Sequence, residues 1–344
     1  MPSVEPNGLR SYLEKALSLV CLTPLGVVAL VLLGLLPFIP PFNQEYLIRW
    51  LIIAAFIGAQ AIAFDFTSGY INVVNFGFSA FVGLGGYSSA LLALGLGLPP
   101  VVTMFLGVLP AALLGFLTGV LTLRLRGIFA LCMTWFVSLA LMGLATKMVW
   151  LTRGPLGLRA PFLLDTSSNL PYYYLILTMM LAMYITLALV ARSNMGLAFK
   201  AIGQNMDAAR TSGINPPRYR IINFTISCAF AGWLGGFYAH YFGILTPDLM
   251  HTAKTVEILA IVYIGGRGSL WGGAAVSFPF LIAMELVRSS LSNLPGLNLI
   301  IYGLALILIM IYYPGGLAHL YHSLNTRLTS AGGPPVNAPA DPAA

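Results

Sequence analysis

Residues 50–123 read WLIIAAFIGAQAIAFDFTSGYINVVNFGFSAFVGLGGYSSALLALGLGLPPVVTMFLGVLPAALLGFLTGVLTL. Asp65 is the one charged residue in this stretch, and Arg49 and Arg124 close it on either side. At about 20 residues per crossing, it holds about three membrane-spanning helices. It is too long for one core helix. Its segments are apolar on every face, which excludes a β-barrel, whose strands alternate polar and apolar residues over about 10 positions. The rest of the chain extends the pattern. Of 344 residues, 58% are hydrophobic and 8% charged, where a soluble domain carries about 25% charged residues. The mean hydropathy is +0.88. A soluble enzyme, a disordered chain and a nucleic-acid binder are thereby excluded, and the net charge of +7 is read as basic loops facing the cytoplasm.

Working outward, the expected fold is all-α and polytopic, with about ten spans near 18–39, 47–64, 72–95, 100–123, 128–149, 172–191, 221–244, 254–264, 272–289 and 298–314. Segment 1–17 is expected to be cytoplasmic, 18–317 the transmembrane domain, and 318–344 a cytoplasmic, partly disordered tail rich in Ala, Pro and Gly. The apolar run after Lys15 is longer than a signal-peptide core and lacks an A-x-A site, so it reads as a retained first span. With the N-terminus inside, the cytoplasmic loops carry Arg10, Lys15, Arg124, Arg126, Arg192, Lys200, Arg210, Arg218, Arg220, Arg267 and Arg327. The outer loops carry Arg49, Lys147, Arg153, Arg159, Lys254 and Arg288. This asymmetry sets the orientation, and it rests mainly on the segment 192–220.

Ten spans could divide into two inverted five-helix halves, an arrangement that places a solute path between the halves. Two glycine-rich interruptions fall in corresponding places. One holds Gly77, Gly83, Gly85 and Gly86, the other Gly265, Gly266, Gly268, Gly272 and Gly273. With Asn72 and Asn75, the residues Gly77, Gly265, Gly266 and Gly268 form the candidate pathway set. The amides either bind a substrate carboxylate or bond a neighbouring helix, and the glycines either pack helices closely or expose backbone along the path.

The segment 193–214 reads as one amphipathic helix closed by Gly213 and Pro216-Pro217. Ala198, Phe199, Ile202, Met206 and Ala209 share one face, and Lys200, Gln204, Asp207 and Thr211 the other, with Ala201 and Ala208 at the edge. Such a helix either lies in the lipid interface or docks in a partner's groove, where small side chains permit close approach.

Single residues have local readings. Asp65 ends the second span and is expected to be solvated or paired with a loop arginine. Glu257 is spaced to pair with Lys254, and Glu285 with Arg288. His240 is expected to be a packed or interfacial residue. Trp150, Tyr172, Tyr173 and Tyr174 read as an aromatic belt. Cys21, Cys132 and Cys228 lie in apolar runs without ligand spacing, so neither a disulfide nor a metal site is expected, and no cofactor is implied. The dipeptide Gly-Lys never occurs, so the chain has no phosphate loop of the G-x-x-x-x-G-K type.

Several blocks together resemble one family. Asp207-Ala208-Ala209 followed by Gly213 fits E-A-A-x-x-x-G with Asp for Glu. Ser68-Gly69-Tyr70, Asn75-Phe76-Gly77, Ala80-Phe81 and Gly86-Tyr87 resemble a G-Y-x-G…S-x-G-x-x-A-F…G-A-Y series. Arg124-Leu125-Arg126-Gly127, Leu151-Thr152-Arg153-Gly154-Pro155-Leu156-Gly157-Leu158, Tyr238-Ala239-His240-Tyr241, Gly265-Gly266-Arg267-Gly268-Ser269-Leu270-Trp271-Gly272 and Pro314-Gly315-Gly316-Leu317 follow in order. Over roughly residues 65–317 the chain resembles the permease family of branched-chain amino acid ABC importers. The resemblance implies a non-enzymatic, multi-pass subunit of the bacterial inner membrane. Its partners would be a homologous second permease, two cytoplasmic ATP-binding subunits, an extracytoplasmic substrate-binding protein and membrane lipid, with no nucleic acid. It places ATPase coupling on Lys200, Ala201, Gln204, Asp207, Ala208, Ala209 and Gly213. Permeases of this type also handle urea, amides or aromatic acids, and an ion-coupled secondary transporter is the alternative from another class.

Overall fold

A computed structural model describes residues 24–38, 44–125, 127–164, 166, 168–290 and 304. The expected span at 298–314, the closing Pro314–Leu317 block, the N-terminal segment 1–17 and the tail 318–344 lie outside the described residues, as do Cys21 and Arg126. The first span is described from Pro24 to Phe38.

The helices are α1 (Pro24–Leu35), α2 (Glu45–Ser68), α3 (Phe78–Leu96), α4 (Pro100–Leu106), α5 (Val108–Thr122), α6 (Ile128–Lys147), α7 (Val149–Thr152), α8 (Leu170–Arg192), α9 (Asn194–Gln204), α10 (Met206–Thr211), α11 (Pro216–Phe242), α12 (Thr252–Gly265) and α13 (Trp271–Ser290). A two-stranded antiparallel ribbon pairs β1 (Leu158–Arg159) with β2 (Ile244–Leu245). Among the described residues, six segments are long and apolar enough to cross a membrane: α2, α3, α4 with α5, α6, α8 and α11. The protein is all-α and polytopic.

The central helix is α2. From Ala54 to Ser68 every residue is buried, so it is enclosed on all faces, by α8, α11, α12 and α13. This is why it is apolar all round. Against it, α13 runs the opposite way over nearly the full height. A Cβ on Gly273 would lie 2.9 Å from the Ala61 methyl, one on Gly58 would lie 2.6 Å from Ser277 Oγ, and at the far end the Tyr46 hydroxyl donates to Glu285 Oε1 at 2.7 Å.

Helices α3, α5 and α11 meet through small residues. A side chain on Gly85 would strike the backbone of Gly232, one on Gly235 would strike the Val82 carbonyl, and one on Gly232 would lie 2.5 Å from the Ala111 methyl. Apolar side chains gain little by leaving lipid for a helix interface, so backbone approach at such positions supplies the packing.

Two expected spans change form. The third does not start near residue 72: its helix begins at Phe78, and Gly69–Gly77 rises without helical structure. Asn72 has φ 61°, and the Asn75 side chain accepts the Gly77 amide at 3.0 Å, so both asparagines turn the backbone out of the helix. The eighth is a half-crossing. α12 has 14 residues, about 20 Å at 1.5 Å per residue. Ile244–His251, with a 3₁₀ turn at Pro247–Met250, covers the remaining height.

Candidate functional site

The two ends of the molecule differ. At the Ser68 end lie Gly69–Asn72, Leu123–Leu125, α9, α10 and the loop Gly266–Leu270. At the Glu45 end lie Ser168 and Asn169, whose side chains donate to the Glu45 carboxylate at 3.1 and 2.7 Å, and the β1–β2 ribbon.

The segment expected as one helix over 193–214 is two. Asn205 adopts an extended conformation (φ −153°, ψ 109°), and its Oδ1 accepts from the amides of Asp207 at 3.0 Å and Ala208 at 3.1 Å. An N-cap residue needs non-helical backbone, so capping α10 requires α9 to stop at Gln204. Gly213, at φ 81°, then turns the chain, and Asn215 caps α11 through the Arg218 amide at 3.4 Å.

The sidedness read from the sequence holds, with Met206 of the apolar face only half-buried. Ala198, Phe199, Ile202 and Ala209 are buried, while Lys200, Gln204, Asp207, Ala208, Thr211 and Gly213 are exposed and Ala201 is half-buried. The apolar face packs on the chain's own core. The Phe199 ring stands edge-on to Phe66 with centroids 5.6 Å apart and to Tyr219 at 6.0 Å. Gly203 sits on the Tyr70 carbonyl, where no Cβ would fit. The Lys200 ammonium lies 5.5 Å from the Tyr70 ring centroid, and the Arg220 guanidinium donates to the Thr122 carbonyl at 3.3 Å. Burial pushes the Tyr70 phenol well above its ordinary range, so it remains neutral beneath that lysine.

Asp65 is buried rather than solvated, and with Arg267 within electrostatic reach its hydrogen bonds come from backbone amides. It is 3% exposed, and its two oxygens accept from the backbone amides of Gly268 at 2.8 Å and Leu270 at 2.9 Å. The carboxylate thereby holds the loop that joins α12 to α13. The glycines of that loop pack: a side chain on Gly265 would strike Gly272, and one on Gly272 would strike the Gly265 carbonyl. Gly266 and Gly268 have φ of 100° and 83°, a region in which an L side chain is strained.

Residues Asn72, Asn75, Gly77, Gly265, Gly266 and Gly268 are not gathered into one place. Asn72 is exposed. Asn75 is buried and donates to Cys228 Sγ at 3.8 Å, while Gly77 abuts the Thr134 carbonyl, where a Cβ would lie at 2.5 Å. The other three lie at the end of α12 and in the loop after it, where Gly268 meets Asp65.

What the structure brings together instead are the N-termini of α3 and α12. The Ser79 amide donates to Thr255 Oγ1 at 3.1 Å, the Thr255 hydroxyl donates to Ser79 Oγ at 2.8 Å, and Ser79 Oγ donates to the carbonyls of Met250 (3.3 Å) and His251 (3.2 Å). From this junction α3 runs to the Glu45 end, where Ser89 meets His240 at 2.9 Å, and α12 runs to the Ser68 end. Neither hydroxyl was flagged by its sequence, since Ser and Thr in apolar helices commonly bond their own backbone. The nearest signal was Thr246-Pro247-Asp248, a turn composition inside an apolar region.

Of the remaining residues, Lys254 and Glu257 pair at 3.6 Å as expected. Glu285 is held by Tyr46, and the Arg288 side chain lies outside the described residues. His240 is a packed residue: its Nδ1 is 2.7 Å from the Pro161 carbonyl, which only a protonated nitrogen can approach, leaving Nε2 to accept from Ser89 and Thr103. Trp150 is 80% exposed, as a belt residue would be, but Tyr172 and Tyr173 are buried. The hydroxyls of Tyr173 and Tyr174 donate to the carbonyls of Leu33 and Gly34 at 2.6 and 2.9 Å, pinning α1 to α8. Among the described residues no group of His, Cys, Asp and Glu is placed to hold a metal ion.

Residues 46–310 match the family described as branched-chain amino acid transport system / permease component. The high-affinity branched-chain amino acid transport system permease protein LivM of Escherichia coli is 28% identical over 278 residues, covering 72% of this chain and 64% of that protein. LivM of Salmonella typhimurium matches to the same extent. The autoinducer 2 import system permease protein LsrC of Salmonella typhi is 28% identical over 220 residues, covering 61% of this chain and 60% of its own. This chain thus spans less than two thirds of the length of these relatives. No solved structure matches.

Proposed function

The chain belongs to the family of branched-chain amino acid transport system permease components, and from that premise we propose that it is the permease subunit of an ATP-driven importer in a bacterial inner membrane. Its partners are a homologous second permease, two cytoplasmic ATP-binding subunits and an extracytoplasmic substrate-binding protein. The solute is a branched-chain or related amino acid. The name of the LivM relatives favours that solute, while the name of LsrC marks a relative with another.

The observation that carries the reading is the seat of α9 and α10. Their exposed face presents Lys200, Gln204, Asp207, Ala208 and Gly213 at the end where Arg124, Arg192, Arg210 and Arg218 also gather, which favours the cytoplasmic side for that end. Their buried face rests on Phe66 and Tyr70, directly below the Asp65 clamp. An ATP-binding subunit grasping this face would pull on the Ser68 end of α2 and, through Asp65, on the loop between α12 and α13. The junction of Ser79 and Thr255, toward which both interrupted segments run, is where such a pull would be felt between the helices.

Ten spans in two inverted halves remain the preferred count. In support, α3 and α12 start together and run oppositely, each preceded by a non-helical segment from the opposite end, an arrangement compatible with inverted repeats of discontinuous helices. Domain limits at 18–317, with flanking cytoplasmic segments, belong to the same proposal. The test is reconstitution of the chain with its cognate subunits in vesicles. Uptake of radiolabelled leucine should require ATP, the binding protein and both permeases. Uptake by this chain alone, or uptake that collapses with a protonophore while ATP stays high, overturns the proposal.

A further inference from the structure

A cavity of about 240 Å³ lies between α2, α3, the end of α11 and the start of α12. Its lining runs from Phe242, whose ring lies under Arg49 near the Glu45 end, and Thr246 inward to Gln60 and Ser79. Gln60 and Ser79 are both buried, and Gln60 stands about 22 Å along α2 from Glu45 at 1.5 Å per residue. One turn further along α2 the space is filled. The Phe64 ring meets Phe78 edge-on with centroids 5.5 Å apart, and both rings are buried. The cavity therefore stops where α3 and α12 begin.

Two contacts close that inner end, and both involve the first two residues of α3. Phe78 packs on Phe64, and Ser79 is bonded to Thr255 of α12 at 2.8 Å. The second contact differs from the usual fate of a hydroxyl in an apolar helix. Thr118, Thr122 and Thr186 donate to carbonyls of their own helices, whereas the Thr255 hydroxyl crosses to another helix. Directly before Phe78 runs the non-helical segment Gly69–Gly77. Its near end carries the seat of α9, since Gly203 rests on the Tyr70 carbonyl and the Lys200 ammonium lies 5.5 Å from the Tyr70 ring centroid. Between the two ends the segment is held largely by side chains: the Phe76 amide donates to Thr134 Oγ1 at 3.1 Å, and the Asn75 amide reaches Cys228 Sγ at 3.8 Å. It lacks the ladder of backbone bonds that stiffens a helix. Such backbone is tolerated deep in a membrane protein where protein buries it or where it borders a path.

We propose that the pairs Ser79–Thr255 and Phe64–Phe78 form the inner gate of the solute path, closed in this structure, and that segment 69–77 is the strap that opens it. The proposal rests on the transport reading above and adds to it the residues that gate the path. An ATP-binding subunit that draws on α9 moves Tyr70, and the strap carries that displacement to Phe78 and Ser79. Ser79 then parts from Thr255 and Phe78 from Phe64, which joins the cavity to the Ser68 end. This route to the gate is separate from the Asp65 clamp, which acts on the far end of α12.

The experiment uses the complete transporter in proteoliposomes with radiolabelled leucine as the probe. In Ser79→Cys/Thr255→Cys the sulfurs replace oxygens 2.8 Å apart, within reach of a disulfide. Oxidation with copper phenanthroline should lower uptake at least tenfold and dithiothreitol should restore it, while the unaltered transporter, treated alike, keeps its rate. A purely structural contact is served as well by a disulfide as by a hydrogen bond. Uptake that survives oxidation, with the crosslink confirmed by mass spectrometry, therefore overturns the gate alone. Should the double variant not fold, Ser79→Cys by itself is labelled with a small methanethiosulfonate applied from the ATPase side. Labelling above that of the unaltered transporter should rise at least tenfold during ATP turnover, and a rate indifferent to ATP overturns the gate equally. Absence of ATP-dependent uptake by the unaltered transporter overturns the transport reading and the gate with it.

Discussion

The carboxylate of Asp65 accepts the backbone amide of Gly268 at 2.8 Å, across 203 positions of sequence. A second bond, from the Leu270 amide at 2.9 Å, completes the clamp. A buried carboxylate with two amide donors locks the α12–α13 loop to the end of α2, and any displacement of α2 at that level carries the loop with it. Asp65→Ala should therefore destabilise the protein by about 2 kcal/mol, the cost of stranding two buried amides, measured as a lower midpoint of thermal unfolding in detergent. Asp65→Asn keeps one acceptor and should fall between the two. Equal stability in all three proteins would show that the clamp bears no load.

Ala208 and Ala209 are adjacent but differ in what they touch. Ala208 is exposed, and Ala209 is 4% exposed against the chain's own core. Ala208→Arg should leave the amount of folded protein unchanged while abolishing co-purification with ATP-binding subunits and ATP-driven uptake. Ala209→Arg should lower the amount of folded protein itself, because it places a charge in a packed site. Size-exclusion profiles read alongside pull-down separate the two.

Asn205 is the joint between α9 and α10. Asn205→Ala removes the acceptor for the Asp207 and Ala208 amides and should cost about 1 kcal/mol, typical of a lost N-cap. Hydrogen exchange should then rise in Met206–Ala209 and not in α9. Asn205→Ser should restore protection.

Glycines of equal sequence appearance should respond oppositely. Gly85→Leu must displace the Gly232 backbone and should prevent α3 and α11 from packing, with loss of folded protein. Gly143 lies inside α6, and a methyl group placed on it would meet open space, with nothing within 4 Å. Gly143→Ala should therefore be neutral or stabilise by up to about 1 kcal/mol through helix propensity. Unfolding midpoints of the two variants check the contrast.

Much of the architecture was legible because lipid leaves few options. Backbone groups must be paired within each segment, so apolar runs of about 20 residues become helices, and the spans expected between 47 and 244 lie mostly on helices, residues 72–77 of the third excepted. The amphipathic period of 193–214 was readable for the same local reason, and it correctly separated Phe199 and Ile202 from Lys200 and Gln204. The break at Asn205 was not, because a capping asparagine within a helical period looks like an ordinary polar position. The seat of Asp65 was legible only in part: a loop arginine, Arg267, does lie within electrostatic reach, but the groups bound to the carboxylate are backbone amides 203 and 205 positions away, and amides have no sequence signature.

By itself, the sequence determined the polytopic all-α class and the buried and exposed faces of 193–214, because hydrophobic length and periodicity are local quantities that the solvent reads directly. Only the tertiary structure decided which glycines pack and which residues face space. Gly265, Gly272 and Gly273 close helix contacts, while Gln60 of α2, Ser79 of α3, Asp248 and the α12 residues Lys254 and Glu257 line one cavity. That outcome depends on how α2, α3 and α12 meet, and the meeting is set by backbone approach and long-range hydrogen bonds that no local pattern encodes.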